Sequence, residues 1–205
     1  MSDIPPPLEP RPRHWLEYAA TGLALALSAI SLWVAVGTMD ANKKMVAAAS
    51  WPFLQFSTSD GDAKGNSVLT FEVINAGVGP ALVETLEVYY RGKPMTTSHD
   101  LLQRCCHYDP RLGPARDQPR TGSIQVGTVG KTVIRAGESR AFFTYAKTAT
   151  NADGWEVLRK AVSDGTLVAR ACYCSVFDEC WQGAFTGIHP KRVDRCEVPA
   201  VSYTQ

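Results

Sequence analysis

Between Tyr18 and Met39 the chain carries no charged side chain, and Ala, Leu, Ile and Val dominate the run. As a helix, these 22 residues would span roughly 33 Å at ~1.5 Å each, close to the ~30 Å hydrocarbon core of a bilayer. A helix suits a lone segment in lipid because it satisfies its own backbone donors and acceptors. Trp15 and Tyr18 would mark one membrane interface and Trp33 would sit nearer the other, where amphipathic rings prefer to lie. The buried helix of a soluble protein is the bland alternative. A cleaved signal peptide is the stronger one, but its apolar region is usually shorter, ~7–15 residues. The only good small-residue cluster, Ala47-Ala48-Ala49, also lies beyond Asp40, Lys43 and Lys44. The reading is therefore an uncleaved signal anchor. Met39 to Ser50 lacks Pro and Gly, which predicts that the helix continues past the bilayer.

Three segments follow from this. Residues 1–14 form a proline-rich cytoplasmic tail, whose Pro7, Pro10 and Arg11 make a PxxP-like pattern common by chance. Residues 15–50 form the membrane helix, spanning about 18–39, and its continuation. Residues 51–205 form one domain large enough to bury a core. From Trp51 onward, 17 Lys+Arg face 16 Asp+Glu, so the domain lacks the basic excess a nucleic-acid binder needs. No nucleic-acid partner is expected.

Charge does not orient the anchor, because Arg11 and Arg13 on one side balance Lys43 and Lys44 on the other. The cysteines break the tie. Cys105, Cys106, Cys172, Cys174, Cys180 and Cys196 all follow the anchor, an even set that fits disulfides formed in an oxidising compartment. The N-terminus is then inside and the domain outside the cytoplasmic membrane.

The domain reads as many short strands. Trp51 to Ser57 opens one, with Pro52 confining it to an edge or a strand start. In Val68–Asn75, Leu69, Phe71 and Val73 alternate with Thr70 and Glu72, which predicts a half-buried strand. In Leu82–Tyr90 the period-two pattern places Leu82, Glu84, Leu86, Val88 and Tyr90 on one face. The intervening Asn75-Ala-Gly77-Val-Gly79-Pro80-Ala81 is a turn: its glycines allow positive φ, and no Lys-Ser/Thr or helix follows to make a phosphate loop. Further strands are predicted at 123–128, 131–134, 140–145, 166–176, 180–185 and 192–198. A helix over 98–106 is opened by Thr97 with Asp100. A second, over 153–163, has Glu156 as capping partner to Asp153, packs Trp155, Leu158 and Val162, and stops at Gly165. This pattern predicts a mainly β fold, an antiparallel sandwich with two short helices.

The order of anchor helix, Trp51-Pro52-Phe53-Leu54, a strand, Asn75 to Ala81, and later Cys172-Tyr173-Cys174-Ser175 resembles uncharacterised bacterial single-pass membrane proteins. That resemblance implies an immunoglobulin-like sandwich in the periplasm, held at the inner membrane. It covers the anchor and half of the domain, and it implies no activity. The chain departs from antibody-type domains in lacking a spaced Cys…Trp…Cys pattern.

Chemistry-bearing constellations are few. Cys172 and Cys174 would point to the same face of a strand, but zinc sites usually space paired cysteines by two to four residues on a turn. Disulfides are the favoured reading, with a metal site as the alternative. Six cysteines allow 15 pairings; adjacent Cys105 and Cys106 are expected to reach different partners, in the Cys172–Cys196 region. His14, His99, His107 and His189 are scattered, so neither catalysis nor a cofactor is expected. The long loop from His107 to Thr121 carries Arg111, Arg116 and Arg120 and is a candidate recognition surface beside the plainer reading of a solvated connector. Gly22 and Ala26 make a small-xxx-small pair compatible with a homo-oligomer. The expected function is a membrane-anchored binding or scaffold module meeting a protein or envelope partner. The alternative is an envelope thiol or metal protein, or an enzyme, built on the Cys cluster.

Overall fold

The computed structural model describes residues 14–107, 124–184 and 189–204. The chain divides into two compact units, Met1–Val46 and Ala47–Gln205. The first is carried by helix α1, His14–Ala49, 36 residues with no buried side chain. It is the one helix among the described residues long and apolar enough to cross a membrane. At ~1.5 Å per residue it is about 54 Å long, so it outruns a bilayer core as the absence of Pro and Gly after Met39 predicts. Its two threonine hydroxyls return to the helix backbone, Thr21 donating to the Glu17 carbonyl at 2.8 Å and Thr38 to Ala35 at 2.9 Å. Both threonine donors are thereby satisfied within the helix.

Among its described residues the second unit holds ten strands and two helices. Strands β1 (Leu54–Ser59), β2 (Val68–Asn75), β7 (Ser139–Ala146) and β5 (Ile124–Val126) form a four-stranded antiparallel sheet in the order β1-β2-β7-β5. A six-stranded sheet runs β10 (Lys191–Val193), β9 (Cys180–Ala184), β8 (Leu167–Cys174), β3 (Ala81–Tyr90), β4 (Lys93–Met95), with β6 (Thr132–Ile134) on β3 as well. Helices α2 (Ser98–Cys106) and α3 (Ala152–Ser163) pack on each other. Strands make up 33% of the structure and α1 alone is 36 residues, so the chain is mixed helix and strand rather than mainly β. Both sheets and both short helices feed one apolar core, which includes Phe71, Val83, Leu86, Leu102, Leu158 and Tyr173.

Two bulges decide which residues reach that core. In β2 the alternation holds, with Leu69, Phe71, Val73 and Asn75 buried. Its neighbour β7 slips register between Phe71 and Glu72, leaving Phe142 as the extra residue. Phe142 and Phe143 are therefore both buried: Phe143 stacks on Phe71 at 5.5 Å, while Phe142 meets Tyr203 edge-on at 6.0 Å. In β3 the register with β8 slips between Val83 and Thr85. Glu84 is the extra residue, and it reverses the strand's parity. Ala81 and Val83 face the core before it, Leu86, Val88 and Tyr90 after it. Leu82 therefore lies opposite to Leu86, contrary to the expected alternation.

Helix α2 begins as expected, with the Thr97 hydroxyl accepting from Asp100 N–H at 3.1 Å. Helix α3 differs: its N-cap is Asn151, without a side-chain cap bond. Asn151 instead accepts from Thr148 N–H and donates to the Ala146 carbonyl, bracing the turn before the helix. Glu156 pairs with Lys147 and Arg159. Trp155, Leu158 and Ala161 are buried, with Val162 packed at the margin.

Candidate functional site

Two arrangements of polar and sulfur-bearing residues stand out. In the first, Asn75 ends β2 with no exposure to solvent. Its side-chain oxygen accepts from Phe53 N–H at 3.2 Å and Gly77 N–H at 3.0 Å. Its amide nitrogen donates to the carbonyls of Gly79 at 2.8 Å and Ile134 at 3.0 Å. The amide thus fills both donors and both acceptor sites, the condition for a tolerable buried polar group. A Cβ at Gly77 would overlap the Trp51–Phe53 backbone, and one at Gly79 the Ser50 carbonyl. Close backbone approach, rather than positive φ, is what these glycines supply; neither has φ in the left-handed range. Pro80 hands the chain to β3. The segment from Asn75 to Pro80 is a structural clamp on residues 50–54 and the 134–138 turn.

The second arrangement lies on the face of the six-stranded sheet opposite the core. Directly paired residues share a face, which aligns Thr85, Cys172, Gln182 and Lys191 in one row and Leu82, Cys174, Cys180 and Val193 in the next. Cys174 bonds Cys180 across the β8–β9 hairpin, and Cys172 bonds Cys196. The shared face of Cys172 and Cys174 is as period two demands. The sulfurs of Cys174 and Cys196, which belong to different disulfides, lie 3.8 Å apart. The sulfurs of Cys174, Cys180 and Cys196 all fall within 4.8 Å of one another.

Cys105 and Cys106 correct the expectation. They bond each other at the end of α2, because Cys172, Cys174, Cys180 and Cys196 pair among themselves. A Cβ at Gly154 of α3 would sit 2.9 Å from Cys106 Cβ, so this glycine lets α3 close onto the cysteine pair. The pairing leaves no free thiol in the chain.

Cys196 also explains why β10 stops at Val193 rather than running to 198. The disulfide draws residues 194–200 off the sheet edge and over its outer face, where they strap a cleft of about 1000 Å³. Thr85, Glu87, Gln182, Lys191 and Arg195 line it. Charges of both signs meet there, and Arg192 is already paired with Glu179 at 2.7 Å, so the cleft has no single-sign field to select a strongly anionic ligand. Glu87 accepts from the Tyr89 hydroxyl, a bond that holds that phenol above its ordinary value. Beyond the strap, Tyr203 N–H donates to the Leu86 carbonyl at 2.9 Å and Thr204 N–H to Thr96 at 2.8 Å. The first of these bonds lies on the stretch of β3 edge between β6 and β4, and the second just beyond β4. The Tyr203 hydroxyl bonds buried Ser98 at 2.8 Å, and burial pushes the phenol up to about 12. Tyr173, stacked on Trp181 at 6.0 Å, is raised to about 12 by burial too.

The strap is the feature that sequence reading missed. An isolated Cys196 and a late Tyr203 among polar residues were its only traces. Arg111, Arg116 and Arg120 lie outside the described residues, as does the proline-rich tail. Gly22 and Ala26 are exposed on α1. No protein-family model matches the chain, and no curated protein matches it.

Proposed function

We propose that the chain is a membrane-anchored binding module, held by α1 with its N-terminus inside and its disulfide-linked domain outside the cytoplasmic membrane. The domain is read as an immunoglobulin-like sandwich that meets a protein or envelope partner, without catalysis. The observation that carries this reading is the pairing of all six cysteines into three disulfides within the unit that follows an apolar helix. Such bonds persist where thiols are oxidised and not in a reducing cytoplasm. The hydrogen bonds around Asn75 and the Cys172–Cys196 tether of the strap pre-organise the surface, which suits recognition by lowering the ordering cost of binding.

Intact-mass measurement tests it. Native membranes are acid-trapped, alkylated without reductant, and the full chain is weighed. No added label is the expected result. Six labels would place the domain among reduced thiols and end the reading. Crosslinking in the same membranes then supplies the partner.

A second reading, an envelope thiol or metal protein, is favoured by the three sulfurs within 4.8 Å of one another. A soft cation such as zinc takes thiolates at ~2.3 Å in tetrahedral sites. Stoichiometric metal together with free thiols in the isolated chain would select it over disulfides.

A further inference from the structure

We propose that Cys172, Cys174, Cys180 and Cys196 form a disulfide-exchange site, through which an external thiol resets the strap from Cys172 to Cys174. The proposal rests on sulfur geometry alone and does not depend on membrane topology. Exchange proceeds by attack of a thiolate on a disulfide sulfur, so it requires a third sulfur beside an existing bond. Most disulfides lack one. Here Cys174 Sγ stands 3.8 Å from Cys196 Sγ, and Cys180 Sγ belongs to the same group.

The co-reactant is a small thiol or an exported thiol–disulfide oxidoreductase. Its thiolate attacks Cys180 Sγ, the Cys174–Cys180 bond breaks, and a mixed disulfide forms on Cys180. The electron pair leaves on Cys174 Sγ. That thiolate attacks Cys196 Sγ, forming Cys174–Cys196 and breaking Cys172–Cys196. Cys172 Sγ departs with the electron pair and takes a proton from solvent. The second step exchanges one protein disulfide for another, so it needs no further oxidant or reductant.

The consequence is mechanical. Cys172 and Cys174 are two residues apart on β8, so the tether moves about 6.6 Å along the strand. Cys172 lines the cleft under the strap while Cys174 does not. Exchange therefore exposes a thiol in the cleft and changes what covers it. Cys196 is the only one of the four that is not buried.

The test uses the full chain in detergent or nanodiscs. In Cys180→Ser, Cys174 starts as the free thiol. The expected maleimide label divides between Cys174 and Cys172, and an unreduced digest contains a Cys174–Cys196 peptide. In Cys172→Ser, Cys196 starts free and label is expected on both Cys196 and Cys180. Wild-type chain treated with limiting dithiothreitol and acid-trapped covers the case in which either variant misfolds: Cys174–Cys196 is expected alongside labelled Cys172. Label confined to Cys174 in Cys180→Ser, with no Cys174–Cys196 peptide from wild type at any extent of reduction, overturns the proposal.

Discussion

Asn75 joins three separate backbone segments through one amide, so its contribution is set by what replacement leaves behind. Asn75→Ala strands Phe53 N–H, Gly77 N–H and the Gly79 and Ile134 carbonyls at a site without solvent. At about 1–3 kcal/mol per unsatisfied buried group, the variant should lose at least ~3 kcal/mol. Asn75→Asp keeps the acceptor but turns an oxygen toward two carbonyls. Its carboxyl should be held protonated, with the folded pKa above the unfolded one, so its deficit against wild type should be largest near neutral pH and shrink toward acid. Denaturant melts at both pH values check this; a deficit that grows with acid contradicts the role given to Asn75. Tyr203 gives the alkaline counterpart. Its phenol rises from 10.0 to about 12 on folding, so folding favours the neutral form. That contribution is full below pH 10 and is lost as pH climbs toward 12. Tyr203→Phe should cost about 1–2 kcal/mol at neutral pH, through the lost Ser98 bond. Wild type's advantage over it should then narrow above pH 10, as paired melts would show.

At the scale of elements, what was legible in the sequence was whatever local pattern alone decides. Strand β2 and helix α2 match their expected bounds because strict alternation and the Thr97–Asp100 cap operate over a few residues. Parity in β3 was not legible, since a bulge is invisible until the partner strand fixes the register, and Glu84 carries no mark of it. Strand β4 went unread because its turn places Arg91 as well as Gly92 at positive φ, and arginine is no turn signal. The Asn75 motif was readable as a turn, but its clamp function depends on Ser50–Phe53 and Ile134 arriving from elsewhere in the chain. The strap belongs to the same class: no local pattern announces a segment held by Cys196 at one point and Tyr203 at another. Ending the chain after Val198 should remove Tyr203 from the core and uncover the Leu86 and Thr96 carbonyls. A loss of about 3 kcal/mol or more is expected from buried area and hydrogen bonds together. An unchanged denaturation midpoint would show that the strap's end adds nothing to the sheet.

For the whole molecule, the long apolar helix was the most legible feature, because uninterrupted apolar composition over that length is read directly from the chain. Side-chain pairing was the least. Cysteine number and position pointed to oxidation, whereas the three bonds depend on which faces the register brings together, and the vicinal pair at Cys105 and Cys106 ran against expectation. The compartment reading joins the two: a helix that fits lipid, followed by a domain whose thiols are all bonded. It is tested most directly by adding protease to sealed spheroplasts, stripped of any outer membrane, that carry an epitope after Gln205. The account expects the epitope to be cleaved from sealed spheroplasts, with a cytoplasmic marker protein untouched. An epitope that survives until the membrane is lysed would contradict it.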